Sequence, residues 1–231
     1  LARLFLNTAR RFAYPFAPAL SRGLGVPLTA ITSLIAVHQA TGMLSPVFGP
    51  LGDRWGYRLM MLVGLSVLAV GMLAGGLLPA YGAVLLALFL AGLAKSIFDP
   101  ALQAYVGERV PYQRRGLAIG MIEFAWAGSS LAGIPLAGLL IDQLGWRSPF
   151  LALGGLGLLS LVALRILIPG DGGQRRSADG PAGVREAWRR LSQERVALGA
   201  LGFGFLVAIA NDNLFVVYGA WLEATFGLSV L

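Results

Sequence analysis

The sequence predicts an all-α fold, a polytopic membrane helix bundle in which six helices are followed by a central cytoplasmic loop and a seventh helix. Three observations predict it. Of the 231 residues, 57% are hydrophobic, and the mean hydropathy is +0.74. Only 13% are Asp, Glu, Lys or Arg, against ~25% in soluble domains, so much of the apolar surface must face lipid. Long uncharged runs alternate with short arginine-rich segments. Because lipid offers no hydrogen-bond partners to the backbone, each run of ~20 apolar residues is expected to be helical.

In the first part of the chain, glycine and proline residues at 23–27 separate the first helix from the second. Leu20 to Pro50 is apolar apart from one arginine and one histidine. Leu59 to Leu78 is an uncharged run between an arginine and a proline. Gly and Pro are the strongest helix breakers, so they are expected to mark the ends of these spans.

The second part of the chain repeats this pattern. Phe124 to Ile141, Ser148 to Leu164 and Val196 to Asn211 are uncharged runs, and Pro111 precedes the fifth helix. The seven predicted helices span residues 2–20, 27–51, 59–78, 81–107, 116–141, 148–168 and 196–222.

The chain is expected to have three parts. Residues 1–169 form a six-helix transmembrane bundle, residues 170–195 a cytoplasmic central loop, and residues 196–231 the first helix of a further bundle that the chain truncates. The loop opens with a glycine-rich flexible linker. Its second half, around 184–191, is expected to be a short amphipathic helix at the membrane surface, with a regulatory site as the alternative.

The distribution of arginines predicts the orientation. Loops 52–58, 108–115 and 170–195 carry eleven arginines, whereas the opposite loops carry two, Arg22 and Arg147. Basic loops stay on the cytoplasmic side, so the N-terminus is predicted to be cytoplasmic.

Composition also argues against several classes of function. The net charge of +7 is spread in clusters between apolar runs and does not line one polar face, so nucleic-acid binding is not expected. The chain has no cysteine and one histidine, which argues against thiolate and multi-histidine metal sites. It has no phosphate-binding glycine-lysine motif for ATP hydrolysis, and no metal or cofactor is expected.

Residues 49–58 read Gly-Pro-Leu-Gly-Asp-Arg-Trp-Gly-Tyr-Arg. This resembles the loop signature of the major facilitator superfamily, G-x-x-x-D-R-x-G-R-(R or K), which lies between its second and third helices. The matching residues are Gly49, Asp53, Arg54, Gly56 and Arg58. Tyr57 stands where the family usually has a basic residue. The resemblance implies a conformational latch between the two halves of the protein. Glu108 lies at the end of the fourth helix, beside this loop, and is the expected carboxylate partner of Arg54 or Arg58. The alternative is an ordinary turn with arginines that set the topology.

Two further segments are similar to the family. Gly145 to Phe150 resembles a G-W-R-x-x-F motif after the fifth helix, and the glycines and proline at 128–138 partly resemble the antiporter signature. Close helix packing is an equal alternative for the second segment. Family members usually have twelve helices in two halves, so the resemblance implies that this chain is a fragment comprising the first half and helix seven.

Ionisable groups inside apolar spans are costly and are commonly functional. The chain places seven of them there: Arg10, Arg11, His38, Lys95, Asp99, Glu123 and Asp212. Leaving the histidine aside, three are positive and three negative, which favours pairing inside one polar cavity. Asp99 and Glu123 lie ~13–14 Å from the cytoplasmic ends of their helices. Lys95 and Asp99 share one helix face, and so do Asn7 and Arg11, since residues four apart are neighbours on a helix.

These groups are assigned to a substrate or proton pathway. Glu123 or Asp99 is predicted to change protonation during transport, with a static ion pair as the alternative. Lys95 is either a substrate- or proton-linked group or a bridge to Asp99, and His38 either a proton site or part of the cavity wall. Asn211, Asp212 and Asn213 are interpreted as a locally unwound binding segment or as polar contacts between helices.

The sequence therefore predicts a non-enzymatic secondary transporter of a small organic solute, driven by a proton gradient through alternating access, with efflux favoured. It is expected to act as a monomer in a bacterial-type inner membrane, with membrane lipid and its small-molecule substrate as partners. The alternatives are a receptor or scaffold with the same fold, and an integral-membrane enzyme such as a lipid transferase.

Overall fold

The computed structural model describes residues 1–169 and, beyond them, residues 189, 192–196, 198–200, 202–204 and 206–207. The chain folds as two compact units, Leu1–Ala178 and Asp179–Leu231. In the first unit the described residues form nine α-helices, one 3₁₀ turn and one π-helical turn, with no strand. The helices are α1 (Ala2–Arg11), α2 (Ala17–Leu24), α3 (Leu28–Ala40), α4 (Ser45–Trp55), α5 (Tyr57–Leu77), α6 (Tyr81–Arg109), α7 (Tyr112–Gly128), α8 (Ile134–Leu144) and α9 (Ser148–Leu167).

The first six predicted helices correspond closely to these elements, with internal breaks at 12–16, 41–44 and 129–133. The first predicted helix, 2–20, is split into α1 and α2 by a turn at 12–16. Pro15 lies in that turn, where its missing N–H and its ring prevent the helix from continuing. The second predicted helix, 27–51, is interrupted by the 3₁₀ turn Thr41–Leu44, which precedes Pro46 in the first turn of α4.

Within the described residues, four helical segments are long and apolar enough to cross a membrane. They are Tyr57–Leu77, Tyr81–Arg109, Tyr112–Leu144 and Ser148–Leu167. The third segment combines α7, the π turn Ser129–Gly133 and α8. An all-helical membrane bundle is therefore confirmed as the fold class of this part of the chain.

The core of the bundle lies where α5 packs against α6 and α9. Small residues allow these helices to approach closely, as is usual between membrane helices. A Cβ added at Gly71 would lie 2.7 Å from the Cβ of Leu90 on α6, and one added at Gly154 would lie 2.7 Å from Leu73 on α5. Such contacts leave no room for a larger side chain, so the three helices form a tight scaffold.

Helix α1 packs beside this scaffold and contacts α6, α7, α9 and the π turn. Leu6, Ala9 and Phe12 are buried there, and the Phe12 ring meets Phe150 of α9 edge to face, with 5.0 Å between centroids. The polar face of α1 therefore lies against α6 and α7, which carry the charged residues described below.

The second unit is described at a few positions. Its described residues from 198 to 207 are helical, and the N–H of Leu198 donates to the carbonyl of Glu194 at 3.0 Å. Most of the predicted central loop, and the predicted seventh helix after residue 207, lie outside the described residues.

Candidate functional site

Lys95 and Asp99 form a buried ion pair on α6, one helical turn apart. Lys95 Nζ lies 2.5 Å from Asp99 Oδ2 and also donates to Asn7 Oδ1 of α1 at 2.7 Å. The exposed fractions of the Lys95 and Asp99 side chains are 14% and 20%, and Asn7 is buried. The pair therefore also joins α6 to α1.

Arg3, which the sequence analysis did not single out, extends this pair to a third helix. Its Nη1 donates to Glu123 Oε1 of α7 at 2.7 Å, and its Nε lies 3.4 Å from Asp99 Oδ1. Five residues therefore form one continuous polar cluster across three helices, which we call the charge cluster: Arg3, Asn7, Lys95, Asp99 and Glu123. Three of the predicted pathway residues, Lys95, Asp99 and Glu123, belong to it.

A sequence signal for Arg3 did exist. The spacing of Asn7 and Arg11 marks one face of α1, and extending it back by four residues reaches Arg3. The position close to the beginning of the chain hid the signal, because a residue there is not flanked by an apolar run.

Arg11 lies on the same face of α1 but contacts different partners. Its Nη1 donates to Ser130 Oγ at 3.0 Å, and its guanidinium lies 4.3 Å from the centroid of the Trp126 ring. Ser130 belongs to the π turn, a feature that is frequent at functional sites. Next to it, a Cβ added at Gly133 would lie 2.1 Å from Thr8 Oγ1. This turn therefore fits closely against α1.

His38 lies in a separate buried seam between α3 and α6. Its Nδ1 is 2.6 Å from the carbonyl oxygen of Leu88, which only accepts hydrogen bonds, so Nδ1 carries a proton. Thr41 Oγ1 donates to the carbonyl of His38, and Ser96 Oγ donates to the carbonyl of Thr41. His38 has no hydrogen bond to the charge cluster among the described residues. The charge of Arg10 acts on both His38 and Lys95.

Asn211, Asp212 and Asn213, the other predicted pathway residues, lie outside the described residues.

In the loop signature, Tyr57 makes a hydrogen bond to an acid four residues before it. Its hydroxyl donates to Asp53 Oδ1 at 2.5 Å. Gly56 connects α4 and α5 with φ +96°, a backbone conformation that other residues rarely adopt. Arg58 Nη2 donates to the carbonyl of Arg165 in the last turn of α9 at 2.6 Å. The signature thus ties α4, α5 and α9 together.

The other signature residues are placed as follows. Arg54 is exposed in the last turn of α4, and Glu108 lies in the last turn of α6. A Cβ added at Gly49 would meet nothing within 4 Å.

The motif after α8 closes the opposite end of the bundle. Gly145 has φ +87° and ends α8. Trp146 packs on Gly23, where an added Cβ would lie 2.1 Å from the indole ring. Arg147 donates from Nε to the carbonyl of Gly76 at 2.7 Å and from Nη2 to that of Leu77 at 2.6 Å. It therefore caps the exposed carbonyls at the end of α5.

Comparison with known proteins points to one family. The family model of the Major Facilitator Superfamily matches residues 1–231. The chain is 30% identical over 137 residues to the uncharacterized MFS-type transporter YwfA of Bacillus subtilis, covering 59% of this chain and 33% of that protein.

Two further relatives carry more informative names. The inner membrane transport protein YdhP of Escherichia coli is 25% identical over 160 residues, which are 69% of this chain and 41% of YdhP. The multi-drug resistance efflux pump PmrA homolog of Lactococcus lactis is 25% identical over 221 residues, which are 91% of this chain and 53% of that protein. The chain therefore spans from a third to about half of the length of these relatives.

Proposed function

The chain belongs to the major facilitator superfamily, and on that premise we propose that it forms part of a secondary transporter that moves a small organic solute by alternating access. The charge cluster is the observation that carries this proposal. It places two acids and two bases on α1, α6 and α7. Helices α6 and α7 belong to segments that are apolar enough to cross a membrane, where unpaired charge is expensive and is usually retained for function. Because the charges compensate one another across helix interfaces, a ligand or proton that neutralises one member changes how the helices pack.

The energy source that we propose is a proton gradient. A carboxylate in the cluster, Glu123 or Asp99, gains and loses a proton as the protein alternates between its two states. Glu123 has an exposed fraction of 53%, whereas that of Asp99 is 20%, so Glu123 is the less enclosed of the two acids. Arg10, Arg11 and His38 are proposed to shape the same pathway from α1 and α3. No cofactor is proposed for this transport.

The loop signature is proposed to act as the conformational latch. Asp53 is held by Tyr57, while exposed Arg54 at the end of α4 remains oriented towards solvent. Glu108, in the last turn of α6, is proposed as a carboxylate partner of Arg54 or Arg58 when the protein changes state.

We further propose a bacterial inner membrane as the location, a cytoplasmic N-terminus, export as the direction and a monomer as the working unit. The arginine-rich loops at one end of the helices support the orientation. The similarity to the inner membrane transport protein YdhP supports the location, and the similarity to the efflux pump PmrA homolog supports the direction.

Transport by the complete natural polypeptide that carries this chain tests the proposal. Purified protein in liposomes is given tetraphenylphosphonium, benzoate or glucose as a cationic, anionic or neutral probe, with and without a pH gradient. We expect at least one probe to accumulate with the gradient, and D99N or E123Q to abolish the gradient-driven part. If no probe moves faster than in empty liposomes and no pH-dependent conformational change is seen, the receptor or scaffold alternative is favoured.

A further inference from the structure

One of the two contacts that Arg3 makes is incomplete. Arg3 Nε lies 3.4 Å from Asp99 Oδ1, whereas a formed N–H···O bond measures ~2.9 Å. Both atoms are buried, and neither has a hydrogen-bond partner among the described residues. A buried donor and acceptor left unpaired next to each other are costly. A shift of ~0.5 Å would pair them.

The second contact of Arg3 holds it away from Asp99. Its Nη1 donates to Glu123 Oε1 at 2.7 Å, and a hydrogen bond between two charged groups is about twice as strong as a neutral one. As long as Glu123 is ionised, this bond keeps the guanidinium towards α7.

The two acids differ in the charges that face them. In the described part of the chain, Asp99 faces Arg3 of α1 and Lys95 of α6, whereas Glu123 faces Arg3. Arg10 of α1 acts on Lys95 as well. Glu123 is also the more exposed acid, at 53% against 20%. Neutralising Glu123 therefore disturbs one ion pair at the less enclosed acid, whereas neutralising Asp99 disturbs two at the more enclosed one.

We propose that Arg3 is a two-position switch, which binds Glu123 while that acid is charged and closes on Asp99 when a proton neutralises Glu123. This inference rests on the proton coupling proposed above and assigns the proton to Glu123. The proton forms an O–H bond on the Glu123 carboxylate, and Arg3 keeps its own charge throughout. Arg3 Nε–H then donates to Asp99 Oδ1.

The switch changes the packing of three helices. Arg3 is on α1, Asp99 on α6 and Glu123 on α7. Proton uptake therefore weakens the tie between α1 and α7 and strengthens the tie between α1 and α6. Asp99 is then shared between two cations, so Lys95 becomes easier to detach by a ligand.

A triple-mutant cycle tests the switch without any substrate. R3Q and D99N are introduced separately and together, both in the natural protein and in the E123Q variant. The melting temperature of each complete polypeptide is measured in lipid nanodiscs. In the E123Q background we expect R3Q to lower the melting temperature by ~2–4 °C more in a protein that has Asp99 than in one that has the D99N substitution. This difference is the effect of one completed hydrogen bond between Arg3 and Asp99. In the natural background the difference is expected to be less than half as large. An equal or larger difference with Glu123 intact would overturn the switch.

Two further variants serve as controls for this cycle. D142N replaces an exposed acid on the helical segment that also carries Glu123, and it should leave the coupling between Arg3 and Asp99 unchanged. If R3Q does not fold, R3K takes its place, because lysine retains the charge but carries its donors on one nitrogen, whereas Arg3 contacts the two acids through two different nitrogens.

Infrared spectroscopy gives an independent readout. The carbonyl band of a protonated carboxylic acid is followed as the pH is lowered, without substrate. We expect a titrating band that E123Q removes and D99N retains, and the reverse pattern would overturn the assignment. If the melting temperatures and the infrared spectra both agree with the switch but solute uptake does not depend on the pH gradient, the proposal of proton-driven transport is wrong and the switch is supported. If uptake follows the gradient but the coupling does not depend on Glu123, the switch alone fails.

Discussion

Replacing Lys95 with methionine should destabilise the bundle by ~3–4 kcal/mol. The attraction between Lys95 Nζ and Asp99 Oδ2 at 2.5 Å is ~6–7 kcal/mol before desolvation, at an effective dielectric constant of ~20. The variant gains back the desolvation cost of the lysine, and Arg3 remains 3.4 Å from Asp99 to compensate part of the acid's charge. Asn7 Oδ1 also loses its donor, which adds ~1 kcal/mol.

The double variant K95M/D99N distinguishes a buried pair from a surface pair. Removing both charges leaves no uncompensated ion, so its cost should fall below ~1.5 kcal/mol, much less than the sum of the two single effects. The assay is equilibrium unfolding of the complete polypeptide by SDS in bicelles. R22Q, which alters an exposed arginine of α2, should stay within ~0.5 kcal/mol of the natural protein. A cost for K95M below ~1 kcal/mol, as in a solvated pair, would refute this reasoning.

Three further substitutions test other parts of the structure. R147Q removes two donors from the end of α5 and should cost ~2 kcal/mol in the same unfolding assay, whereas an effect no larger than that of R22Q would contradict the capping role. G133A places a Cβ 2.1 Å from Thr8 Oγ1 and should cost ~1–3 kcal/mol of stability through overpacking. The control is G120A, where an added Cβ meets nothing within 4 Å. Equal effects of the two substitutions would show that the π turn has room for a side chain. Y57F removes the hydroxyl that donates to Asp53 and should shift the populations of the two conformations, measured by distances between spin labels, whereas Y57R should preserve them because an arginine also donates to a carboxylate.

The helices that carry the scaffold could be predicted from the sequence because lipid imposes a simple rule on them. The uncharged run of residues 59–78 matches α5 (Tyr57–Leu77), and the predicted helix 148–168 matches α9 (Ser148–Leu167). Hydropathy responds to the total apolar length of a span. It does not register a local break, which explains why the turn at 12–16 and the π turn in the fifth span were missed.

The charge cluster could be predicted only in part for a different reason. Lys95 and Asp99 are four residues apart, so their pairing follows from helix geometry. Arg3 and Glu123 are separated by 120 positions, and their contact depends on how α1 packs against α7. The bond between Tyr57 and Asp53 spans four residues, but the tyrosine interrupts the charge pattern by which the signature is recognised. The role of the Tyr57 hydroxyl becomes clear only when its distance to the Asp53 carboxylate is known.

The proposed proton pathway requires that the charged face of α7 border water inside the membrane bundle. Gly120 lies one turn before Glu123 on that face, and an added side chain there has open space. Met121 is exposed on a different face of the helix, and the chain has no cysteine of its own. The direct measurement is the reactivity of G120C and M121C towards a membrane-impermeant maleimide, in the complete polypeptide reconstituted in liposomes. We predict that G120C reacts from one side of the membrane, with a rate that changes with pH relative to that of a free thiol at the same pH, and that M121C does not react. Equal protection of both cysteines from both sides, at every pH, would contradict the account.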